Sequence, residues 1–367
     1  MRLHALSAGV EAQTRCFSGV VHSIFHHACN VSLDGGALLT LVSSEKGNVS
    51  QGIRVGTPSK FTFLNQLRVG QPVACRGGIL RIIGSELTID LRSASLWHID
   101  LKGLRVGLQR RDSAHAWRVA WLELESRWPG DRISSNIAAV LQPRQHHVAP
   151  RDAKTGAERA IQTIPALIDA TRHVRVDETI TAFSPLIGLG PGLTPSGDDF
   201  IVGYLAGLWS TVGNDSSRLT FMSSIGTWLS QAASGTNAIS CTYIRSAVNG
   251  NISEPIATLA QRIARASSRV SVREATRTAL QVGVTSGANG VLGLLLGCLA
   301  WGAPSISSNF RRPCSLVHQP FESTAPSRYD GVESGKSTVD LGMRLNLMHY
   351  GSMHSLLLTR YTILCSC

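Results

Sequence analysis

Over roughly the first hundred residues, apolar and polar positions alternate in short stretches, with turn residues between them. This pattern, from about residue 17 to residue 101, predicts β-strands. The predicted strands are residues 18–25, 37–42, 79–83 and 87–91, and residues 83–86 predict a hairpin. Since no helical pattern separates them, the strands are expected to form a small antiparallel β barrel or sandwich.

After about residue 113 the spacing of apolar residues lengthens to the helical period. The predicted helices are residues 116–128, 135–141, 157–168, 200–212, 219–232, 255–266 and 273–282. The expected fold class is therefore α+β, with the barrel or sandwich followed by a mostly α-helical domain. We expect a β-rich domain over 1–110, a helical domain over 111–304 and a Ser-rich, motif-poor tail over 305–367 that is poorly ordered or atypical.

Composition adds limits to the function. A chain of 367 residues that is 43% hydrophobic has enough apolar material for a substantial core. The formal net charge is +11, but the basic residues are scattered and no basic motif is interleaved with aromatic residues. Small anionic substrates explain the charge equally well, and because no nucleic-acid motif is present we expect no nucleic-acid partner.

The cysteines and the apolar runs bear on metal sites and location. The eight cysteines include no Cys-x-x-Cys pair and no Cys/His grouping with zinc spacing, so we expect reduced thiols and no metal ligands. The chain begins without an apolar signal core and contains no run of about 18 apolar residues. A cytoplasmic protein that does not contact membrane is expected.

The most informative stretch is residues 188–203, where turn formers, hydroxyls and two acids precede an apolar segment. Its loop glycines permit positive φ and a close approach of a ligand to the backbone, and they are Gly188, Gly190, Gly192 and Gly197. The density of polar residues predicts a binding loop. The alternative is a loop that merely turns the chain and caps a core helix.

The polar residues of this loop suggest a site for an anion. Thr194 or Ser196 is expected to cap a helix that begins near Gly197, and free N–H groups at a helix start bind anions. Asp198 and Asp199 repel an anion unless Mg²⁺ or an Arg stands between, or unless one carboxylate accepts a substrate N–H. As a general base, either Asp needs a raised pKa or a link to a metal.

A fainter copy of the motif lies at 283–297 and aligns with 192–207 when one proline is omitted. Three pairs of polar or small residues correspond: Ser286 with Ser196, Gly287 with Gly197, and Asn289 with Asp199. Each copy continues into a Gly-x-x-x-Gly helix, and such helices are expected to pack closely and bring both N-termini to one pocket. The alternative is a coincidental similarity between two core helices.

A third polar helix start lies between the two copies. Thr236 and Asn237 precede an amphipathic stretch, where Asn237 and Ser240 offer a carboxamide and a hydroxyl to a planar polar substrate. Helix capping explains Thr236 and Asn237 equally well. Arg245 is interpreted as a solvated helix residue.

Residues 190–199, with 235–240 and Ser286-Gly287, resemble a bacterial family associated with the AllH-type subunit of oxamate carbamoyltransferase. The run Gly-Pro-Gly-Leu-Thr-Pro-Ser-Gly-Asp-Asp at 190–199 carries the resemblance, and looser similarity extends from about Gly19 to Gly297. The resemblance implies a role in purine or allantoin nitrogen catabolism, where oxalurate and phosphate exchange with oxamate and carbamoyl phosphate, together with other protein subunits. The second copy departs from the first, having Ala288-Asn289 in place of the two acids.

These observations predict a subunit that binds a small anionic substrate and resembles oxamate carbamoyltransferase. The expected catalytic residues are Asp198 and Asp199. The expected substrate-binding residues are Gly190, Gly192, Thr194, Ser196, Gly197, Asn237, Ser240, Ser286, Gly287 and Asn289.

Two alternatives stay open. One is a Mg²⁺-dependent phosphotransferase or hydrolase that uses the two acids. The other is a non-catalytic partner subunit whose loop serves an interface. No residue resembles an activated nucleophile, no cofactor is identified, and whether the chain alone is an enzyme stays open.

Overall fold

A computed structural model describes residues 1–127 and 156–302. The predicted helix at 135–141 and the tail at 305–367 lie outside these described residues. The barrel and the helices belong to one compact unit. Within the described ranges, no helix is both long enough and apolar enough to cross a membrane.

Nine strands lie in the first described range. They are β1 (Arg2–Gly9), β2 (Phe17–Ile24), β3 (Ala28–Leu33), β4 (Leu38–Ser43), β5 (Gly52–Gly56), β6 (Pro72–Arg76), β7 (Ile79–Ile82), β8 (Thr88–Asp90) and β9 (Ser95–Trp97). The first eight form a closed barrel in the order β5-β4-β3-β2-β6-β7-β8-β1, because β1 also pairs with β5. The barrel, the hairpin and the four predicted strands are confirmed.

Strand direction is the part of the barrel that the pattern did not indicate. Most pairs are antiparallel, but β4 pairs parallel with β5, and β1 pairs parallel with both β8 and β9. Side chains alternate with period two in either direction, so the hydrophobic pattern of a strand does not distinguish the two arrangements.

The second half of the described chain is helical, as predicted. The helices are α1 (Arg111–Arg127), α2 (Gly156–Arg172), α3 (Val176–Phe183), α4 (Ser196–Thr211), α5 (Ser216–Ala232), α6 (Ala238–Val248), α7 (Glu254–Ala264), α8 (Arg269–Leu280) and α9 (Ser286–Gly302). The helix over 176–183 was not among those predicted, since its eight residues give the helical period little room to show.

The helices α4 and α9 form the centre of the helical region, and both are buried along most of their length. Glycines allow their backbones to touch. A Cβ at Gly203 would lie 2.0 Å from the carbonyl oxygen of Gly290, and one at Gly293 would lie 2.2 Å from that of Phe200. One turn further, Gly207 faces Leu294 and Gly297 faces Tyr204. The contacts advance together along both helices, so the pair is parallel, and the predicted Gly-x-x-x-Gly packing is present.

Strand β4 is buried on both faces, so one face lies in the barrel core and the other is covered from outside the barrel. Leu39 and Leu41 belong to the barrel core. By strand alternation Thr40 therefore points out of the barrel, on the side where α6 packs against β4. A polar residue thus lies between the apolar residues of β4 at the junction with the helices.

The loop before β5 ties the barrel to the start of α7. The backbone and side-chain nitrogens of Asn48 both donate to Glu254 Oε2, at 2.8 and 2.7 Å. The Ser50 hydroxyl donates to the Ile252 carbonyl at 3.2 Å. These bonds hold the following residue, Gln51, at the boundary between barrel and helices.

Candidate functional site

The candidate site begins where α4 and α9 start side by side. Because the two helices run parallel, their positive ends lie at the same end of the pair. The hydroxyl oxygens of Thr194 and Ser286 are 2.7 Å apart, so the two loops that precede the helices are in direct contact. The structure therefore brings together the two copies of the motif.

The glycines of the two loops are required for two different structural reasons. Gly188, Gly190 and Gly192 adopt φ of 68°, 110° and 99°, which L side chains rarely adopt. Gly197 instead permits a close approach, because a Cβ there would lie 1.9 Å from the Leu186 carbonyl oxygen. Gly287 is similar, with the Ala279 oxygen 2.2 Å from a Cβ.

The expected capping of α4 is wrong. The N-cap position is Pro195, which makes no side-chain bond, and neither Thr194 nor Ser196 caps the helix. Three backbone N–H groups at the start of α4 are also not free, contrary to expectation. The N–H of Gly197 donates to Leu189 at 2.9 Å, and those of Asp198 and Asp199 donate to Pro195 at 3.0 and 3.1 Å. The tight loop folds its own carbonyls over the helix start.

The start of α9 shows the same arrangement. The N–H of Gly287 donates to the Val282 carbonyl at 2.8 Å, and that of Asn289 donates to Thr285 at 3.1 Å. A ligand at the paired helix starts therefore meets side-chain donors and the field of the helix dipoles rather than these backbone groups.

Asp198 is buried and accepts a hydrogen bond on each carboxylate oxygen. Its Oδ1 accepts the N–H of Gly188 at 2.8 Å, and its Oδ2 accepts the hydroxyl of Thr236 at 2.6 Å. The residue is 1% exposed. With a partner on each oxygen, Asp198 joins the glycine loop to the residues just before α6.

Asp199 has a different environment from its neighbour. Burial raises its pKa to about 7, the Ser286 hydroxyl acts to lower it, the charge of Asp198 raises it, and Thr194 lowers it. Its Oδ2 is buried without a hydrogen-bond partner in the described protein. A carboxyl group of this pKa exchanges a proton near neutral pH, which is the property that a general base at this position requires.

At the start of α6, Asn237 is a helix cap. Its Oδ1 accepts the N–H groups of Ile239 and Ser240 at 3.0 and 3.1 Å, so this oxygen is engaged by the backbone. Ser240 and Asn289 are only 1% and 2% exposed. The Ser240 Oγ and the Asn289 Nδ2 nevertheless have no partner among the described protein groups. Buried polar atoms without partners are uncommon in folded proteins.

Three residues near this site, Thr40, Gln51 and Tyr243, were not predicted from the sequence to belong to it. The phenol of Tyr243 interacts with the side chains of Thr40 and Gln51, and it is close enough to Asp199 to respond to that charge. Burial, the largest effect, raises the pKa of the phenol. Gln51 is 4% exposed, and its Nε2 has no protein partner. The signal in the sequence was Thr40 itself, a hydroxyl within the apolar run 37–42.

Other chemistry in the described ranges is limited. They contain no group of three or more His, Cys, Asp or Glu residues placed to hold a metal ion. Burial raises the pKa of the Cys29 and Cys298 thiols to about 12, which keeps both thiols protonated and unreactive at neutral pH.

The fold and the site together define a class of protein in which a β-barrel is joined to a helical region built on a parallel pair of glycine-rich helices, with buried polar groups at their shared start. Two family models match the chain. The model described as oxamate carbamoyltransferase subunit AllH matches residues 186–298, and that of the AllH family N-terminal domain matches residues 4–96. The chain belongs to the AllH family. No curated protein and no solved structure matches it.

Proposed function

We propose that the chain binds a small anionic substrate at the shared start of α4 and α9 and takes part in carbamoyl transfer between carbamoyl phosphate and oxamate. The observation that carries this proposal is Asp199, a carboxyl group with a pKa of about 7 whose Oδ2 is buried without a protein partner. The family name supports the reaction class.

In this reaction the amide nitrogen of oxamate attacks the carbonyl carbon of carbamoyl phosphate. The new C–N bond forms, the C–O bond to phosphate breaks, and the products are oxalurate and phosphate. The attacking nitrogen loses one proton to the Asp199 carboxylate, which passes it to the departing phosphate, so that phosphate leaves as HPO₄²⁻ and Asp199 is ionised again. Since the pKa of Asp199 is near neutral, the same group returns the proton in the reverse direction.

Charge develops on the carbamoyl oxygen and on the departing phosphate during this step. The positive ends of α4 and α9 stabilise negative charge placed between them. The side chains of Ser286, Ser240 and Asn289 supply donors within the same region. Asp198 keeps the glycine loop in place through Gly188 and Thr236.

The proposal also includes other protein subunits, a cytoplasmic location and a place in allantoin or purine nitrogen catabolism. The partner subunits and the pathway are implied by the resemblance to the family, whereas the cytoplasmic location stays a prediction from the sequence. The division of the chain at about residues 110 and 304 stays a prediction. A Mg²⁺ site at the two acids is less favoured, because both oxygens of Asp198 already accept hydrogen bonds from the protein.

The test is calorimetric titration of the full chain at pH 8 with carbamoyl phosphate, oxamate, oxalurate and phosphate, each with and without Mg²⁺. We expect saturable binding of oxamate or carbamoyl phosphate without Mg²⁺, and about a tenfold or greater loss in Asp199→Ala. Asp112→Ala is the matched control, because Asp112 is an exposed acid in the first turn of α1.

Two results would overturn the proposal. Binding that requires Mg²⁺ and is lost in Asp199→Ala would support the metal-dependent alternative. Absence of binding to all four ligands at millimolar concentration would support a non-catalytic partner subunit.

A further inference from the structure

The barrel brings its own polar group to the site on the helices. Gln51 immediately precedes β5, and its backbone carbonyl accepts the N–H of Thr40 at 3.2 Å. The preceding residues Asn48 and Ser50 are bonded to the start of α7. The position of Gln51 at the junction is therefore fixed from both sides.

Tyr243 links Gln51 to Asp199 through a side-chain interaction with the first and the charge of the second. The side chain of Gln51 interacts with Tyr243, and Tyr243 responds to the charge of Asp199. Ser240 lies three residues before Tyr243, and residues at this spacing lie on the same face of a helix. Helix α6 itself packs against both β4 and α4. The amide of Gln51, the hydroxyl of Ser240 and the carboxyl of Asp199 therefore belong to one region.

Four atoms of this region have unused hydrogen-bonding capacity. They are Gln51 Nε2, Ser240 Oγ, Asn289 Nδ2 and Asp199 Oδ2, and all are buried without a protein partner. The two amide nitrogens only donate, the hydroxyl does either, and the ionised carboxylate only accepts. The ligand that satisfies this set carries oxygen acceptors on one side and an N–H donor on the other.

We propose that Gln51 of the barrel is a substrate-binding residue of this site, where its Nε2 donates to a carboxylate or carbonyl oxygen of a small amide that also presents an N–H to Asp199. Tyr243 is a positioning residue, since its phenol interacts with the Gln51 side chain. Carboxylate and primary amide on adjacent carbons match the set of donors and acceptors. This inference rests on the proposed function, and it adds that the barrel completes the site.

The test is calorimetric titration of the full-length chain with oxamate and with oxalate, which has the same shape but a second carboxylate in place of the amide. Gln51→Met keeps the length of the side chain and removes the donor, so we expect both ligands to bind about tenfold to a hundredfold more weakly. Gln51→Glu should weaken both further, because it adds a negative charge beside an anion. Gln66→Met, at an exposed glutamine of the barrel, should leave both affinities unchanged.

Tyr243→Phe tests positioning. We expect a smaller loss of affinity than in Gln51→Met, and no additional loss when the two changes are combined, because both act through the same amide. Unchanged melting temperatures would show that the variants fold. A purely structural role would instead lower the melting temperature and leave the affinity intact.

The outcomes separate the two proposals. If the unaltered chain binds none of its candidate ligands, the proposed function fails. If the unaltered chain binds oxamate and Gln51→Met binds it equally well, the role of Gln51 is wrong while the proposed function stands, and solvent rather than substrate satisfies the amide.

Discussion

The first turns of α4 and α9 have the same backbone arrangement and different chemistry. Each begins with Ser-Gly, and each glycine faces a backbone carbonyl that excludes a side chain. Further along, Gly203 and Gly293 allow equivalent contacts at 2.0 and 2.2 Å, and Gly207 and Gly297 do so at 2.4 and 2.3 Å. The next two residues after Ser-Gly are Asp198-Asp199 in α4 but Ala288-Asn289 in α9. Packing thus constrains both copies, whereas acidic chemistry is confined to one.

The two acids themselves also differ. Asp198 has a protein partner on each oxygen, while Asp199 keeps one oxygen without a partner. Adjacent residues on a helix point in different directions, so Asp198 reaches the loop and Thr236, and Asp199 lies near the hydroxyls of Ser286 and Thr194. The structure thus gives Asp198 two protein hydrogen bonds and leaves Asp199 one oxygen open to a further hydrogen bond.

The largest loss of stability is expected at the glycines where α4 and α9 touch. Gly203→Ala and Gly293→Ala each place a Cβ about 2 Å from a carbonyl oxygen of the other helix. We expect each to lower the free energy of unfolding by about 3 kcal/mol or more, since neither backbone can yield without separating the helices. Chemical denaturation of each variant measures this.

Gly35→Ala is the control for these variants, because a Cβ there meets nothing within 4 Å, and it should change stability by about 0.5 kcal/mol or less. If Gly203→Ala and Gly293→Ala differ strongly, or if both are tolerated, the equivalence of the two helices in packing is wrong.

The next effect distinguishes Asp199 from its counterpart Asn289. The folded pKa of Asp199 is about 7, above its ordinary value near 4. Its neutral form therefore favours folding below about pH 4, and this contribution is lost as the pH rises through 7. Asp199→Asn should remove this loss of stability. The melting temperature of the variant minus that of the unaltered chain should therefore be larger at pH 8 than at pH 4.

The size of this change is limited by partial exposure of the residue. Three pKa units correspond to about 4 kcal/mol, and solvent screening reduces the expected change to about 2 kcal/mol. Asn289→Asp, which adds a third acid beside Asp198 and Asp199, should show the opposite trend and lose stability at pH 8. Parallel pH profiles for Asp199→Asn and the unaltered chain would contradict the raised pKa.

The smallest effect concerns Asp198. Asp198→Asn retains one oxygen acceptor but replaces the other with an amide nitrogen, so only one of the Gly188 and Thr236 contacts is kept as it is. We expect a loss of about 1–2 kcal/mol in the free energy of unfolding. Thr236→Val should cost about 1 kcal/mol, and the double variant should cost less than the sum of the two. Additive losses measured by denaturation would show that the two side chains act independently.

The sequence predicted those features that depend on local pattern. Alternation located the strands around Val21 and Leu39, and the helical period located α4 and α5. The glycine spacing in the two copies also predicted the close helix pair. Cap positions were harder to predict, because Thr194 turns toward Ser286 rather than toward its own helix.

Features that depend on distant parts of the chain could not be predicted. Gln51 and Tyr243 meet only because the barrel packs on α6, and neither lies in a recognisable motif. The parallel pairing of β4 with β5 depends on the path of the loop between them. The raised pKa of Asp199 depends on burial by several elements, and a single stretch of sequence contains no measure of it.

The bonds between Asn48 and Glu254 join residues that are 206 positions apart, and this separation has a consequence for how the protein matures. Contacts of such long range form late in folding, because closing the intervening chain carries an entropic cost. During synthesis the barrel leaves the ribosome well before α9 does. The site therefore comes into existence only when the last described helix is in place, which makes ligand binding a direct test of completed folding.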